Sequence, residues 1–226
     1  MRLFFICLAF WSLPAWADEP LAQISMQGEG SVEMAPDMAI ITLGAVREAV
    51  AAADALDATN RATAAVLARL AAAGVAERDM QTSGLSLSPR WENPRSMDNG
   101  RPRIGGFVAT NMVTVRVRDL SILGVVLDAA VADGANQFHG LSFGMQEPRP
   151  LQDEARRRAV ADARAKAELY AGAAGVKLGR ILSITEAGGG APGPVMMREM
   201  AVSSPVPVAP GEVSIAQHVN ITWQIE

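Results

Sequence analysis

The amino-acid sequence predicts an α+β fold, an antiparallel sheet with helices packed on one face. Three observations point there. Segments alternate apolar and polar residues with a period of two, most cleanly near the end, where Val213, Ile215, Val219, Ile221, Trp223 and Ile225 oppose Ser214, His218, Asn220, Thr222 and Gln224. Three other segments, two of them rich in alanine, carry helical periodicity. Each such helix is followed by a glycine and then a strand, around Gly74, Gly134 and Gly175. Helices recurring between half-buried strands bury their apolar sides against the sheet face.

The first 17 residues, MRLFFICLAFWSLPAWA, combine Arg2, an apolar run from Leu3 to Leu13, and small residues at Ala15 and Ala17. This pattern predicts a secretory signal peptide cleaved after Ala17, with a mature periplasmic chain starting at Asp18. The run is too short for a bilayer span, which takes about 20 residues. The one cysteine, Cys7, lies in this leader and follows Phe-Phe-Ile, so neither a disulfide nor a lipid anchor is expected.

Residues 18–226 read as one domain. The even positions from Ile24 to Met34 form a half-buried strand that includes Gly28 and Gly30, and Ala35-Pro36-Asp37 turns the chain into a second strand over Met38 to Arg47. Ala49 to Ala73 is helical, with Leu56, Thr63, Val66, Leu67 and Leu70 on one side. Met80 to Trp91 is extended. The polar stretch 92–103, with Asn99-Gly100 and two prolines, is a flexible hairpin loop. Phe107 to Arg118 alternates as a strand, and Asp119 caps a helix to Asp133 carrying Leu120, Leu123, Leu127, Ala130 and Val131 on its apolar side. Gln137 to Gln146 is a strand. Pro150 suits the start of the longest helix, Leu151 to Ala174. Its apolar stripe is Leu151, Ala155, Ala159, Ala163, Ala167, Tyr170 and Ala174, and Asp153–Arg157, Glu154–Arg158 and Asp162–Lys166 line a solvated charged face. Lys177 to Glu186 is a strand, and 188–211, rich in glycine and proline, is a flexible insertion before the last one.

Composition excludes several classes. Without the leader, 19 basic residues face 24 acidic ones and no basic face stands out, which argues against nucleic acid as a ligand. After processing, Trp91, Trp223 and Tyr170 are the remaining tryptophans and tyrosine, few for a binder that stacks sugars or bases. No second stretch is long and apolar enough to cross a membrane.

Chemical motifs are sparse. His139 shares strand parity with Leu141, Phe143 and Met145, while His218 lies on the polar side of the last strand. With no cysteine or acidic cluster at ligand spacing, they specify no metal. GLSLS and GLSFG lack the spacing of a Gly-x-Ser-x-Gly nucleophile turn. Gly28-x-Gly30 lacks a third glycine and leads into a strand, so a bulge or a close strand approach explains it better than a dinucleotide loop. Met196, Met197 and Met200 could hold Cu(I) through thioethers or scavenge oxidants, or else pack the insertion against the sheet.

Several elements together resemble a known family. These are Gly28-Glu29-Gly30 with Pro36-Asp37; Gly74 followed by Asp79 and Thr82; NMVTVRVRD from Asn111 to Asp119; Gly134 and Gly140; and ARRRAVADARAKAELYAGAAGVKLGRILSITE over 155–186. In order and spacing they resemble the SIMPL-domain family in its exported bacterial form, which includes immunogenic and oxidative-stress-associated members. The resemblance spans almost the whole mature chain and departs at Tyr170-Ala171, where small aliphatic residues are usual. It implies a SIMPL-like fold over 18–226 and a non-enzymatic periplasmic role in envelope or oxidative stress tolerance. The partner it suggests is a second copy in a homo-oligomeric scaffold, or a periplasmic protein or small molecule of unknown identity. It supplies no catalytic, cofactor-binding or metal residues to carry over. Two other readings stay open: a metal- or oxidant-buffering module built on Met196, Met197 and Met200, and a cofactor-free envelope enzyme.

Overall fold

The computed structural model describes residues 22–92, 102–132, 134–187, 193–195 and 208–226. Strands β1 (Gln23–Met34) and β2 (Met38–Ala49) are separated by Ala35-Pro36-Asp37 yet enter different sheets. The α+β class holds, but the single expected sheet is two antiparallel four-stranded sheets. In the middle sheet the order is β3-β4-β2-β5, from β3 (Met80–Glu92), β4 (Arg103–Val117), β2 and β5 (Gln137–Gly144). Helices α1 (Ala52–Ala72) and α2 (Leu123–Ala132) belong to this unit. In the terminal sheet β8 (Glu212–Ile225) lies between β1 and β6 (Leu178–Ala187), and β7 (Gly193–Val195) also pairs with β8. Helix α3 (Arg149–Ala174) covers one face of it.

Alternation decides which side of each strand is buried. In the middle sheet Ala39, Ile41, Leu43 and Ala45 of β2 and Val113, Val115 and Val117 of β4 are at most 1% exposed. Most of these pack in one core with Val66 and Leu70 of α1 and Val126 of α2. Each such aliphatic side chain contributes roughly 1.5–3 kcal/mol of burial free energy. Ala49, expected to open the first helix, instead ends β2, where it pairs with Phe107 of β4, and the ladder overrides alanine's helical preference there. Gly74, Gly134 and Gly175, read as helix stops, all take positive φ.

In the terminal sheet Val219, Ile221 and Trp223 pack against Ala159, Ala163 and Ala167 of α3. Ala171 completes this stripe at 3% exposure, while Tyr170, expected there, is 59% exposed. The alanines recur every four residues, which keeps one narrow, smooth line against β1. Gly28 and Gly30 explain why it lies so close. A Cβ on Gly28 would overlap the Ala159 carbonyl oxygen and stand 2.7 Å from the Ala163 Cβ; on Gly30 it would overlap the Ala155 carbonyl oxygen. The close approach expected of this motif is therefore that of a helix, not of a strand.

That proximity gives the charged face of α3 a structural task. Lys166 Nζ donates to the Gln27 carbonyl at 3.2 Å, the Glu29 N–H donates to Asp162 Oδ2 at 2.9 Å, and Arg158 donates to the Ser31 carbonyl at 2.6 Å. Residues 158, 162 and 166, one helical turn apart, thus occupy the outer edge of β1. The face is not merely solvated. The pairing also differs in part: Arg157 bonds Glu154, and Arg156 joins Asp153 to Glu186 of β6. Asp162 is held below the usual carboxylate range by the Lys166 hydrogen bond and then by the Glu29 N–H.

The two sheets meet where the chain crosses between them. The Asp37 N–H donates to the Gly144 carbonyl at 3.2 Å, the Gln146 N–H to Asp37 Oδ1 at 2.7 Å, and Gln146 Nε2 to the carbonyls of Asp37 and Arg118 at 3.0 and 3.1 Å. Beside this junction Arg118 grips buried Asp79 with two hydrogen bonds of 2.7 Å. The guanidinium holds the Asp79 carboxyl below its ordinary range, through the hydrogen bonds first and against the opposing effect of burial.

Candidate functional site

An apolar groove of about 950 Å³ opens between α2 and β5. Its floor is Leu43 of β2 with Leu141 and Phe143 of β5, and its wall is Leu127, Ala130 and Val131 of α2. Val208 and Ala209, from the segment leading into β8, close the far side. Val208 packs against the middle core, so the groove is built jointly by the middle unit and by chain belonging to the terminal sheet.

A β-bulge forms the mouth. Ile41 pairs with Leu141 and Thr42 with Gly140, but Leu43 pairs with Phe138, so His139 is extra. Gly140 stands at φ 155, a conformation that L side chains rarely adopt. The extra residue reverses parity. Phe138, not His139, therefore joins the helix-facing row of Leu141 and Phe143, and it remains 53% exposed at the groove. His139 is exposed rather than set among apolar neighbours, which corrects the parity reading.

Helix α2 is apolar almost all round. Its sequence, LGVVLDAAVA, has Asp128 as its sole charge. Leu123, Val126, Leu127 and Ala130 are buried, whereas Val125 and Val131 are 60% and 69% exposed. Val131 was expected on the buried side; it lies at the open wall instead, and Val126 takes the inward position. An apolar helix side left in water marks a surface suited to binding.

Polar groups at the groove are few. Asn136 is tied to β2: its side chain accepts from the Val46 N–H at 2.8 Å and donates to the Val46 carbonyl at 3.0 Å. Gln137, the first residue of β5, has a buried Oε1 with no hydrogen-bond partner among the described residues. Asp128 is the one charged residue of the described lining. Arg47 lies nearby but outside the lining, its guanidinium committed to the carbonyls of Val46 and Gly134. This set can desolvate an apolar body and accept hydrogen bonds from its head. Among the described residues of the lining there is no paired acid and base and no activated nucleophile.

The other candidates do not converge here. His218 is half-buried on the face of β8 away from α3, opposite Glu29 and Ala187, with no partner for its Nδ1 among the described residues. It belongs to the terminal sheet and His139 to the middle one. Among the described residues no three His, Cys, Asp or Glu side chains gather at metal-holding distance. Met196, Met197 and Met200 lie outside the described residues. The groove itself had no motif in the sequence. Its one legible signal was His139-Gly140, an interruption inside an otherwise regular strand.

Known proteins match this chain along nearly its whole length. The family profile SIMPL, described as "Protein of unknown function (DUF541)", matches residues 24–223. The 26 kDa periplasmic immunogenic protein of Brucella melitensis is 39% identical over 229 residues, covering 96% of this chain and 92% of that protein. A protein of Escherichia coli K12, "Uncharacterized protein YggE", is 26% identical over 211 residues, covering 90% and 83%. The matched span runs from β1 to the end of β8, across both sheets and all three helices, and the chain belongs to the SIMPL family.

Proposed function

We propose that this chain is a non-enzymatic periplasmic protein that acts by binding, as a homo-oligomeric scaffold contributing to envelope or oxidative stress tolerance. The observation that carries this reading is the make-up of the α2–β5 groove among the described residues: an apolar floor and wall, a bulge that turns Phe138 into the mouth, and a single carboxylate. Such a lining favours occupancy over turnover. The compartment rests on two supports, the export pattern of residues 1–17 with a mature start at Asp18 and the periplasmic name of the Brucella relative. The stress role is what the resemblance to stress-associated members implies.

Self-association is supported by the unequal edges of the terminal sheet. The outer edge of β1 is occupied by Arg158, Asp162 and Lys166, whereas β6 pairs with β8 alone among the described residues. Ile181 and Ile184 of β6 are 48% and 57% exposed. An uncovered strand edge with apolar side chains invites pairing with another chain. Light scattering on residues 18–226 is expected to give a mass several times that of one chain, and Ile184→Lys a smaller species. A wild-type monomer at tens of micromolar would overturn the scaffold reading. A deletion strain as resistant to hydrogen peroxide as its parent would overturn the stress role.

A further inference from the structure

We infer that the α2–β5 groove is a site for a single-chain amphiphile with a cationic, hydrogen-bond-donating head, such as a long-chain primary ammonium ion. This inference rests on the reading of the groove as a binding site and names the chemistry of its ligand. A volume of about 950 Å³ lies at the upper end of the ~300–1,000 Å³ typical of small-molecule sites. It accommodates an alkyl chain with room for a head group. Phe138, Phe143, Leu141 and Val131 present aromatic and branched carbons without polar interruption, as an alkyl tail requires.

The head group follows from charge and from hydrogen-bond accounting. Among the described lining residues Asp128 is the one that carries a charge, and it is negative. The nearby cation, Arg47, lies outside that lining and points its guanidinium at the carbonyls of Val46 and Gly134. Gln137 adds an acceptor, Oε1, that is buried and has no donor among the described residues. An unmet buried acceptor is unfavourable, and a modest rotation of Gln137 toward an incoming N–H relieves it. The Asn136 amide, the other polar lining side chain, holds its oxygen and one N–H on the Val46 backbone. A fatty carboxylate would meet Asp128 with like charge and leave Gln137 Oε1 unsatisfied. An ammonium head answers both groups.

The test is displacement of a neutral fluorescent probe, N-phenyl-1-naphthylamine, from the mature chain by decylammonium, decanol and decanoate, each below its micellar concentration. Decylammonium is expected to displace the probe about fivefold more tightly than decanol, the size of a partly exposed ion pair. Decanoate is expected to be the weakest of the three. Asp128→Asn should remove the preference for the amine and leave probe binding intact. Val131→Arg, at an exposed position that does not threaten the fold, should abolish probe binding. Equal displacement by decylammonium and decanoate, or a preference that survives Asp128→Asn, overturns the ligand assignment while the groove stands. Probe binding unaffected by Val131→Arg overturns the groove itself.

Discussion

The closeness of α3 to β1 makes a sharp prediction at Gly28. In a strand with ordinary φ, replacing glycine by alanine removes unfolded-state entropy and stabilises by about 0.4–1 kcal/mol. At Gly28 the sign reverses. The new Cβ would overlap the Ala159 carbonyl and stand 2.7 Å from Ala163 Cβ and N, so bringing the tightest of these contacts, the Ala159 oxygen, out to ~3.4 Å takes a retreat of α3 by about 1.5 Å. Overpacking of this kind costs about 1–3 kcal/mol. The retreat also stretches the 2.9 Å bond from the Glu29 N–H to Asp162 beyond the useful limit of ~3.2 Å. The net expectation for Gly28→Ala is a loss of about 2 kcal/mol, or roughly 4–8 °C in Tm for a chain of this size. Gly172→Ala is the internal control. Gly172 lies in the last turn of the same helix, where an added Cβ meets nothing within 4 Å, so the helix should gain about 0.5–1 kcal/mol. Urea unfolding of both variants, read by circular dichroism, decides the matter. If Gly28→Ala unfolds at or above the wild-type midpoint, the account of why this glycine is present fails.

Other outcomes follow from the same geometry. Asp79 is 3% exposed in its side chain, so Arg118→Ala, which among the described residues leaves this carboxylate only the longer 3.9 Å approach of Arg78, should lower the urea midpoint more than Asp79→Asn, which loses about 1.5–2 kcal/mol. Because the folded pKa of Asp79 is depressed, the pair stabilises fully above the ordinary carboxylate range and is lost as pH falls through the folded value. The penalty of Arg118→Ala, measured by urea unfolding between pH 7 and 3, should therefore shrink on the acid side. His139→Ala should change stability by less than about 0.5 kcal/mol, since the bulge places this side chain in solvent; a loss above 1 kcal/mol would restore the apolar setting that strand parity suggested. Asp162→Ala should speed hydrogen exchange of the Glu29 amide, which loses its acceptor, and leave amides in the middle of β4 unchanged.

Much of the architecture was legible because it obeys simple periods. β8 reads off its alternation almost residue by residue, and Gly74, Gly134 and Gly175 mark helix ends by backbone geometry that few other residues tolerate. What periodicity could not supply was partnership. Nothing in β1 and β2 says that strands joined by three residues part into separate sheets, because that depends on which distant strands they meet. Gly28 and Gly30 signalled a close approach, but only the alanine line of α3 identifies the approaching element. The groove was the least visible feature. One extra residue at His139 exchanges the faces of Phe138 and His139, and an alternation rule applied across it gives the wrong side. Val208, a wall of the same groove, comes from a stretch with no periodic pattern at all.

The central claim is that the biological role passes through the α2–β5 groove. The direct measurement is complementation of a deletion strain challenged with hydrogen peroxide, comparing the wild-type chain with Val131→Arg. The variant is first shown to match the wild type in Tm and in mass by light scattering. The account predicts that wild type restores survival and that the folded, normally assembled Val131→Arg chain does not. Full restoration by Val131→Arg would contradict it.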